Sequence, residues 1–148
     1  ATGAAPGADV LDNLRASIAG ASDPSQPFAV AAFAQRYFTL AAQVAVDPRY
    51  RFGDVQAAVG TLLRAAFGFE ARDLGQSVTA AELVALIHTV PGVVAVDITA
   101  LAPYPQAAAA AGTVPAFGAR IDAASGGPQP AELLLINPAG IALTGMTP

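Results

Sequence analysis

Residues 47–98, DPRYRFGDVQAAVGTLLRAAFGFEARDLGQSVTAAELVALIHTVPGVVAVDI, decide the fold, because two amphipathic helices and a strand follow one another there with legible starts and stops. In the first helix, which opens near Phe52, the residues Val55, Ala58, Val59, Leu62, Leu63, Ala66 and Phe67 recur at the three-and-four spacing that lines one face. Asp54 sits in its first turn, where negative charge suits the helix dipole, and Gln56, Thr61 and Arg64 fall on the wet side. Gly68 follows the last apolar position as a left-handed cap. The second helix opens on Val78-Thr79-Ala80-Ala81-Glu82-Leu83. This is a capping box: the Thr79 hydroxyl accepts from the Glu82 amide, the Glu82 carboxylate reaches back, and Val78 and Leu83 form the accompanying staple. Leu83, Leu86, Ile87 and Val90 make its buried stripe, Pro91-Gly92 stops it, and Val93 to Ile98 is a strand.

Toward the N-terminus, Arg36 to Asp47 is a strand in which Phe38, Leu40, Ala42, Val44 and Val46 alternate with Tyr37, Thr39, Ala41, Gln43 and Ala45. Asp47-Pro48 breaks it. Phe28 to Phe33 reads as a further strand, preceded by the turn-rich segment Ser22 to Pro27. Asp9 can cap a short helix with Val10, Leu11, Leu14 and Ile18 on one side, ended by Gly20. Between the two main helices, Glu70, Arg72 and Asp73 read as solvated loop charge. Beyond the last strand, residues 102–130 are rich in Ala, Gly, Pro and Ser and sustain no period, which predicts an extended arm anchored by Tyr104, Val114, Phe117 and Ile121. Glu132 to Ile136 and Ile141 to Thr144 flank Asn137-Pro138-Ala139-Gly140 and read as a hairpin with a four-residue turn.

The expected fold class is α+β: a small mixed β-sheet of Phe28 to Phe33, Arg36 to Asp47 and Val93 to Ile98, covered on one face by two amphipathic helices, with an extended C-terminal arm ending in a β-hairpin. Its parts are residues 1–27 (N-terminal helix and connection), 28–101 (α+β core), 102–130 (arm) and 131–148 (hairpin). Both faces of that hairpin are apolar and a lone hairpin is marginal in water, so it must dock. Leu133, Leu135, Ile141 and Leu143, with Phe117 and Tyr104 of the arm, are the candidate assembly interface.

Composition narrows the function. The chain is 54% hydrophobic and only 12% charged, which leaves apolar surface for neighbouring chains. Eleven acidic residues against seven basic ones, all arginine, argue against a phosphate-tracking surface, so no nucleic acid is expected. Without cysteine there is neither a disulfide framework nor a thiolate site. The apolar window Leu83 to Ala102 is interrupted by His88, Pro91-Gly92 and Asp97, so membrane insertion is not expected. The opening Ala1-Thr2-Gly3-Ala4-Ala5-Pro6 lacks the features of a signal peptide and suggests a piece of a longer protein.

Catalytic constellations are missing. His88, the single histidine, falls off the apolar stripe and has no neighbour within helical reach to share a metal or a proton. None of Ser17, Ser22, Ser25, Ser77 or Ser125 lies in a nucleophile turn, and Ser125-Gly126-Gly127-Pro128 leads into no phosphate-binding helix. Tyr50, Phe52, Phe67 and Phe69 cluster around the first helix and read as core packing, with an aromatic ligand platform as the alternative. No enzyme activity, cofactor, metal or small-molecule substrate is expected.

One succession is distinctive: Val44-Ala45-Val46-Asp47-Pro48-Arg49-Tyr50, the helix from Val55, Gly75-Gln76-Ser77-Val78 leading to Thr79 and Glu82, then Val90-Pro91-Gly92-Val93-Val94-Ala95-Val96-Asp97. It resembles the C-terminal part of the baseplate J-like proteins, the wedge components of contractile phage tails and contractile injection systems. Pro130-Ala131-Glu132-Leu133-Leu134 and Asn137-Pro138-Ala139-Gly140-Ile141-Ala142-Leu143-Thr144 look like the terminal hairpin of the injection-system branch, although Gly145 stands where an acidic residue is common. The resemblance covers most of Phe28 to Met146 and brings no catalytic residues with it. It implies a structural protein that contacts other baseplate and wedge subunits, assembled in the bacterial cytoplasm and retained in the particle. A small hydrolase or carbohydrate-binding module, using loop carboxylates and exposed aromatics, is the rival reading.

Overall fold

The strict alternation around Phe38 becomes the centre of the sheet. The computed structural model describes residues 6–23, 25, 28–106, 112–122 and 126–146. In chain order they form α1 (Ala8–Ala21), β1 (Ala34–Val46), α2 (Phe52–Ala66), a 3-10 turn (Phe69–Ala71), β2 (Val78–Thr79), α3 (Ala80–Ile87), β3 (Val93–Pro103), β4 (Thr113–Val114), β5 (Arg120–Ile121), β6 (Pro128–Gln129) and β7 (Glu132–Gly145). β1 lies between β3, antiparallel to it, and β7, parallel to it. The fold is therefore α+β with a small mixed sheet, as the sequence predicts. Phe38, Leu40, Ala42 and Val44 turn to one face and are buried there with Val55, Val59 and Leu63 of α2, Leu83 and Ile87 of α3, Leu101 of β3, and Leu134, Ile136 and Leu143 of β7. Phe38 meets Phe67 edge to face, with ring centroids 5.4 Å apart.

The helix signals operate as chemistry dictates, with instructive exceptions. Thr79 Oγ1 accepts from the Glu82 amide at 3.1 Å, but the Glu82 carboxylate pairs with Arg72 instead of reaching back to complete the box. α2 ends where the Phe67 amide donates to the Leu63 carbonyl, and Gly68 is extended, not left-handed. Gly92 does carry the turn after α3: its φ of +92° is a conformation side-chain-bearing residues rarely adopt. α1 starts from Gly7 with Asp9 inside its first turn, runs through Gly20, and buries none of its residues.

The C-terminal hairpin is corrected to a single strand. Phe38 stands opposite Ile136 and Leu40 opposite Ile141, so the four residues 137–140 face Thr39 alone and the excess is taken up as a bulge in a strand that keeps its direction. Asn137 Oδ1 closes the bulge by accepting from the Ala139 amide, and Gly140 lies so close to Thr39 that a Cβ there would come within 2.6 Å of its Cγ2. The run Leu133-Leu134-Leu135-Ile136 is apolar on both faces because it is a parallel strand buried on both. Phe28 to Phe33 is corrected too: it is not a strand, and β7 takes the third place in the sheet. Its alanines offer a strand few side chains to pack.

The arm around Val114 and Ala116 is packed against the domain, while β5 and β6 pair with each other and stay exposed. β4 pairs with β2, Val114 and Ala116 join the core, the Ala80 amide donates to the Gly112 carbonyl, and β5 pairs with β6. Residues 107–111, 123–125 and 147–148 lie outside the described residues.

Candidate functional site

Arg36 and Tyr37 open β1, Pro103 closes β3, and Glu132 and Leu134 open β7, so the sheet order brings all of them to one end of the sheet. Tyr104, Pro105, Pro115 and Phe117 join them there, and together they line a groove of about 290 Å³. Backbone bonds fix its walls. The Tyr104 amide donates to the Tyr37 carbonyl and the Glu132 amide to the Phe117 carbonyl, both at 2.8 Å. Glu132 holds both sides: its Oε2 accepts from the Phe117 amide at 3.2 Å and its Oε1 from Arg36 Nη2 at 3.5 Å. Val114 and Leu134 form the buried floor, while Tyr37, Tyr104 and Phe117 remain 37%, 55% and 48% exposed. Arg120 lies over the Phe117 ring, 4.4 Å from its centroid.

The predicted interface residues divide between this groove and the interior. Tyr104 and Phe117 are groove walls. Leu133, Leu135 and Leu143 are buried within the chain, because the segment is a strand of the sheet and not a free hairpin. Ile141 is half-buried and, with Leu143, Gln56 and Arg64, lines a second depression of about 240 Å³ between α2 and β7. Gln56 Nε2 donates to the Leu143 carbonyl there, at 2.8 Å. Sequence reasoning did not find Tyr37, Arg36 and Glu132 as site residues. Nothing local marks them, since Arg36 and Glu132 are 96 residues apart and meet only through parallel pairing.

The remaining charged groups are dispersed over the fold. His88 is exposed, as its position off the stripe predicts. Arg72, expected in solvent, is buried: it pairs with Glu82 at 3.0 Å and donates to the carbonyls of Gln76 and Ser77 at 3.0 and 2.8 Å. Asp47 accepts from the Arg49 guanidinium and from the Arg49 amide, and these bonds hold its carboxyl below the ordinary aspartate value. Tyr50, expected in the core, is 47% exposed. Among the described residues, no group of three or more His, Asp or Glu could hold a metal ion.

No protein-family model and no curated protein matches this chain. The groove offers aromatic faces, proline edges and one exposed guanidinium. Its single carboxylate already accepts from two donors of the chain, which leaves it poorly placed for proton transfer. Among the described residues, no helix is long and apolar enough to cross a membrane.

Proposed function

We propose that this chain is a structural module of a baseplate wedge, from a contractile phage tail or a contractile injection system, and that it mediates subunit–subunit assembly. Large apolar side chains outside the core carry this reading. Val10, Leu14, Tyr104, Phe117 and Ile121 are each between 47% and 68% exposed on a surface poor in charge, which favours contact with other chains. The order and spacing of Val46-Asp47-Pro48-Arg49-Tyr50 and Val90-Pro91-Gly92-Val93 supply the resemblance to wedge proteins. Its partners are other baseplate and wedge subunits, its particle is assembled in the bacterial cytoplasm, and it performs no catalysis.

The test is co-purification. An affinity-tagged copy expressed in its native host should sediment with sheathed particles and their baseplates, and Phe117→Ala or Tyr104→Ala should lower its occupancy there. A chain that never enters such particles, or purified protein that turns over a glycoside, ester or peptide, would overturn the proposal. The rival reading, a hydrolase or carbohydrate-binding module using loop carboxylates and exposed aromatics, draws on exposed rings such as Tyr37, Tyr50 and Tyr104, and glycan binding by the purified chain without particle association would favour it.

A further inference from the structure

The groove at the end of the sheet has a chemistry narrower than general stickiness. Tyr37, Tyr104 and Phe117 stand beside Pro103, Pro105 and Pro115, so its walls are mostly rings, with the tyrosine hydroxyls and the Gln106 amide as the neutral polar groups among them. Its two charged linings are not equivalent. The Glu132 side chain is 13% exposed, and each carboxylate oxygen accepts from a donor of the chain itself. The Arg36 side chain is 64% exposed and touches Glu132 through Nη2 at 3.5 Å, so most of its planar fork of donors faces outward. Arg120 adds a second exposed cation on the Phe117 ring. On a chain of net charge −4, this end of the sheet presents two exposed guanidinium groups beside aromatic rings, with the Glu132 carboxylate mostly covered.

The complement of such a surface is anionic and carries flat or cyclic apolar groups. A strand added to a sheet edge does not fit. The groove crosses the ends of β1, β3 and β7, so it presents no ladder of backbone donors and acceptors along one edge. A left-handed polyproline segment needs no such ladder. It docks its rings on aromatic walls and loses little entropy on binding because it is already extended. A sugar would find the Tyr37 and Tyr104 hydroxyls and the Gln106 amide here, but being uncharged it would leave the exposed Arg36 cation without an anionic partner.

We propose that this groove binds an extended, proline-containing acidic segment of a neighbouring subunit, with proline rings against Tyr37, Tyr104 and Phe117 and a carboxylate on the Arg36 guanidinium. This rests on the reading of the chain as an assembly module and names the chemistry of its partner.

The probe is a fluorescent peptide of repeated Pro-Pro-Glu, titrated into the full chain by anisotropy and mapped by amide NMR, with Pro-Pro-Gln and Pro-Pro-Lys repeats and a cellulose oligosaccharide as comparisons. The Glu repeat binds saturably, and the shifted amides are those of Tyr37, Tyr104 and Phe117. Tyr104→Ala weakens it at least about ten-fold, a loss of about 1.4 kcal/mol. Arg36→Gln removes the preference for Glu over Gln peptides, and Arg36→Glu favours the Lys peptide. Both side chains are largely exposed, so these variants keep the parent's thermal melt, and Phe117→Ala serves as a second aromatic variant. Absence of saturable binding, binding indifferent to Tyr104→Ala and Arg36→Gln, or binding of the oligosaccharide in place of the peptide would overturn the proposal. A chain found in particles that ignores the peptide sinks the groove alone. One that binds the peptide yet never enters particles sinks the wedge reading alone.

Discussion

Arg72 shows how a single residue ties a loop to a core. Its side chain is 2% exposed, its guanidinium carbon lies 5.0 Å from the Phe67 ring centroid, and its Nη2 bridges the carbonyls of Gln76 and Ser77, while its buried Nε has no hydrogen-bond partner. Glu82 is 39% exposed, so water screens its share of the ion pair. The two carbonyls lose a charged donor if Arg72 is removed; such a bond contributes about 1.5–3 kcal/mol, less here because Gln76 is exposed and Ser77 half-buried, which lets water replace it. Arg72→Met is therefore expected to destabilise by about 2–4 kcal/mol in urea melts, and Glu82→Gln by less than about 1 kcal/mol. Equal losses would mean that the ion pair, and not the anchoring of the two carbonyls, is what holds the loop. Gly92→Ala is expected to cost about 1–2 kcal/mol, because the positive φ remains unfavourable even if the exposed Tyr50 ring, 2.7 Å from the added Cβ, swings away. At Asp47 the Arg49 guanidinium contributes most to the lowered pKa and the Arg49 amide comes second. A lowered value in the fold means the stabilisation is present above the unfolded aspartate's pKa and fades as pH falls through the folded one. An NMR titration of the Asp47 carboxyl should show a midpoint below that of an ordinary aspartate, and Arg49→Ala should raise it.

At the scale of elements, β7 changes what a truncation does. Removing residues 130–148 takes away a strand hydrogen-bonded along β1, together with Leu134, Ile136 and Leu143 of the core cluster. The truncated chain is expected to lose its cooperative thermal transition by circular dichroism, and a sharp melt at the parent temperature would show that β7 is dispensable. Although Ala58, placed on the α2 stripe, is exposed and Val90, placed on the α3 stripe, is buried beyond the helix end at Ile87, local signals made most of the rest legible, namely the Thr79 cap, the alternation of β1 and the main lines of the α2 and α3 stripes. The β7 pairing was not, because Asn137-Pro138-Ala139-Gly140 carries turn chemistry locally and only a parallel partner distant in sequence turns it into a bulge. The same holds for the groove. Tyr104 and Phe117 stood out as aromatics in a stretch without period, but Arg36, Tyr37 and Glu132 become site residues only when the pairing joins their strands. Phase within a helix also needs the fold to settle it: Leu63 is fully buried and Leu62 only partly, so Leu63→Ala is expected to cost about 2–5 kcal/mol and Leu62→Ala less.

Across the whole molecule, burial is unevenly distributed, and α1 stands at its poor end. The core is built from β1, α2, β2, α3, β3, β4 and β7 with their flanking residues, and α1 contributes no buried side chain to it. Val10 is 58% and Leu14 47% exposed, Leu11 and Ile18 are half-buried, and Arg15 Nη2 reaches the Val30 carbonyl at 3.0 Å. A helix of 14 residues is marginal in water unless it packs. So little burial cannot add much to the stability of the sheet and its two helices, whose own apolar faces are already covered. Deleting residues 1–27 is therefore expected to lower the melting temperature by less than about 4 °C, the size of a loss near 1 kcal/mol in a domain of this length. Amide exchange should follow the same division, with α1 exchanging faster than α2, because local opening is easiest where few apolar contacts must be broken. A drop of more than about 10 °C on deletion, or α1 amides protected as well as those of Val59 and Leu63, would make α1 part of the cooperative unit and its exposed Val10 and Leu14 incidental to a stabilising role.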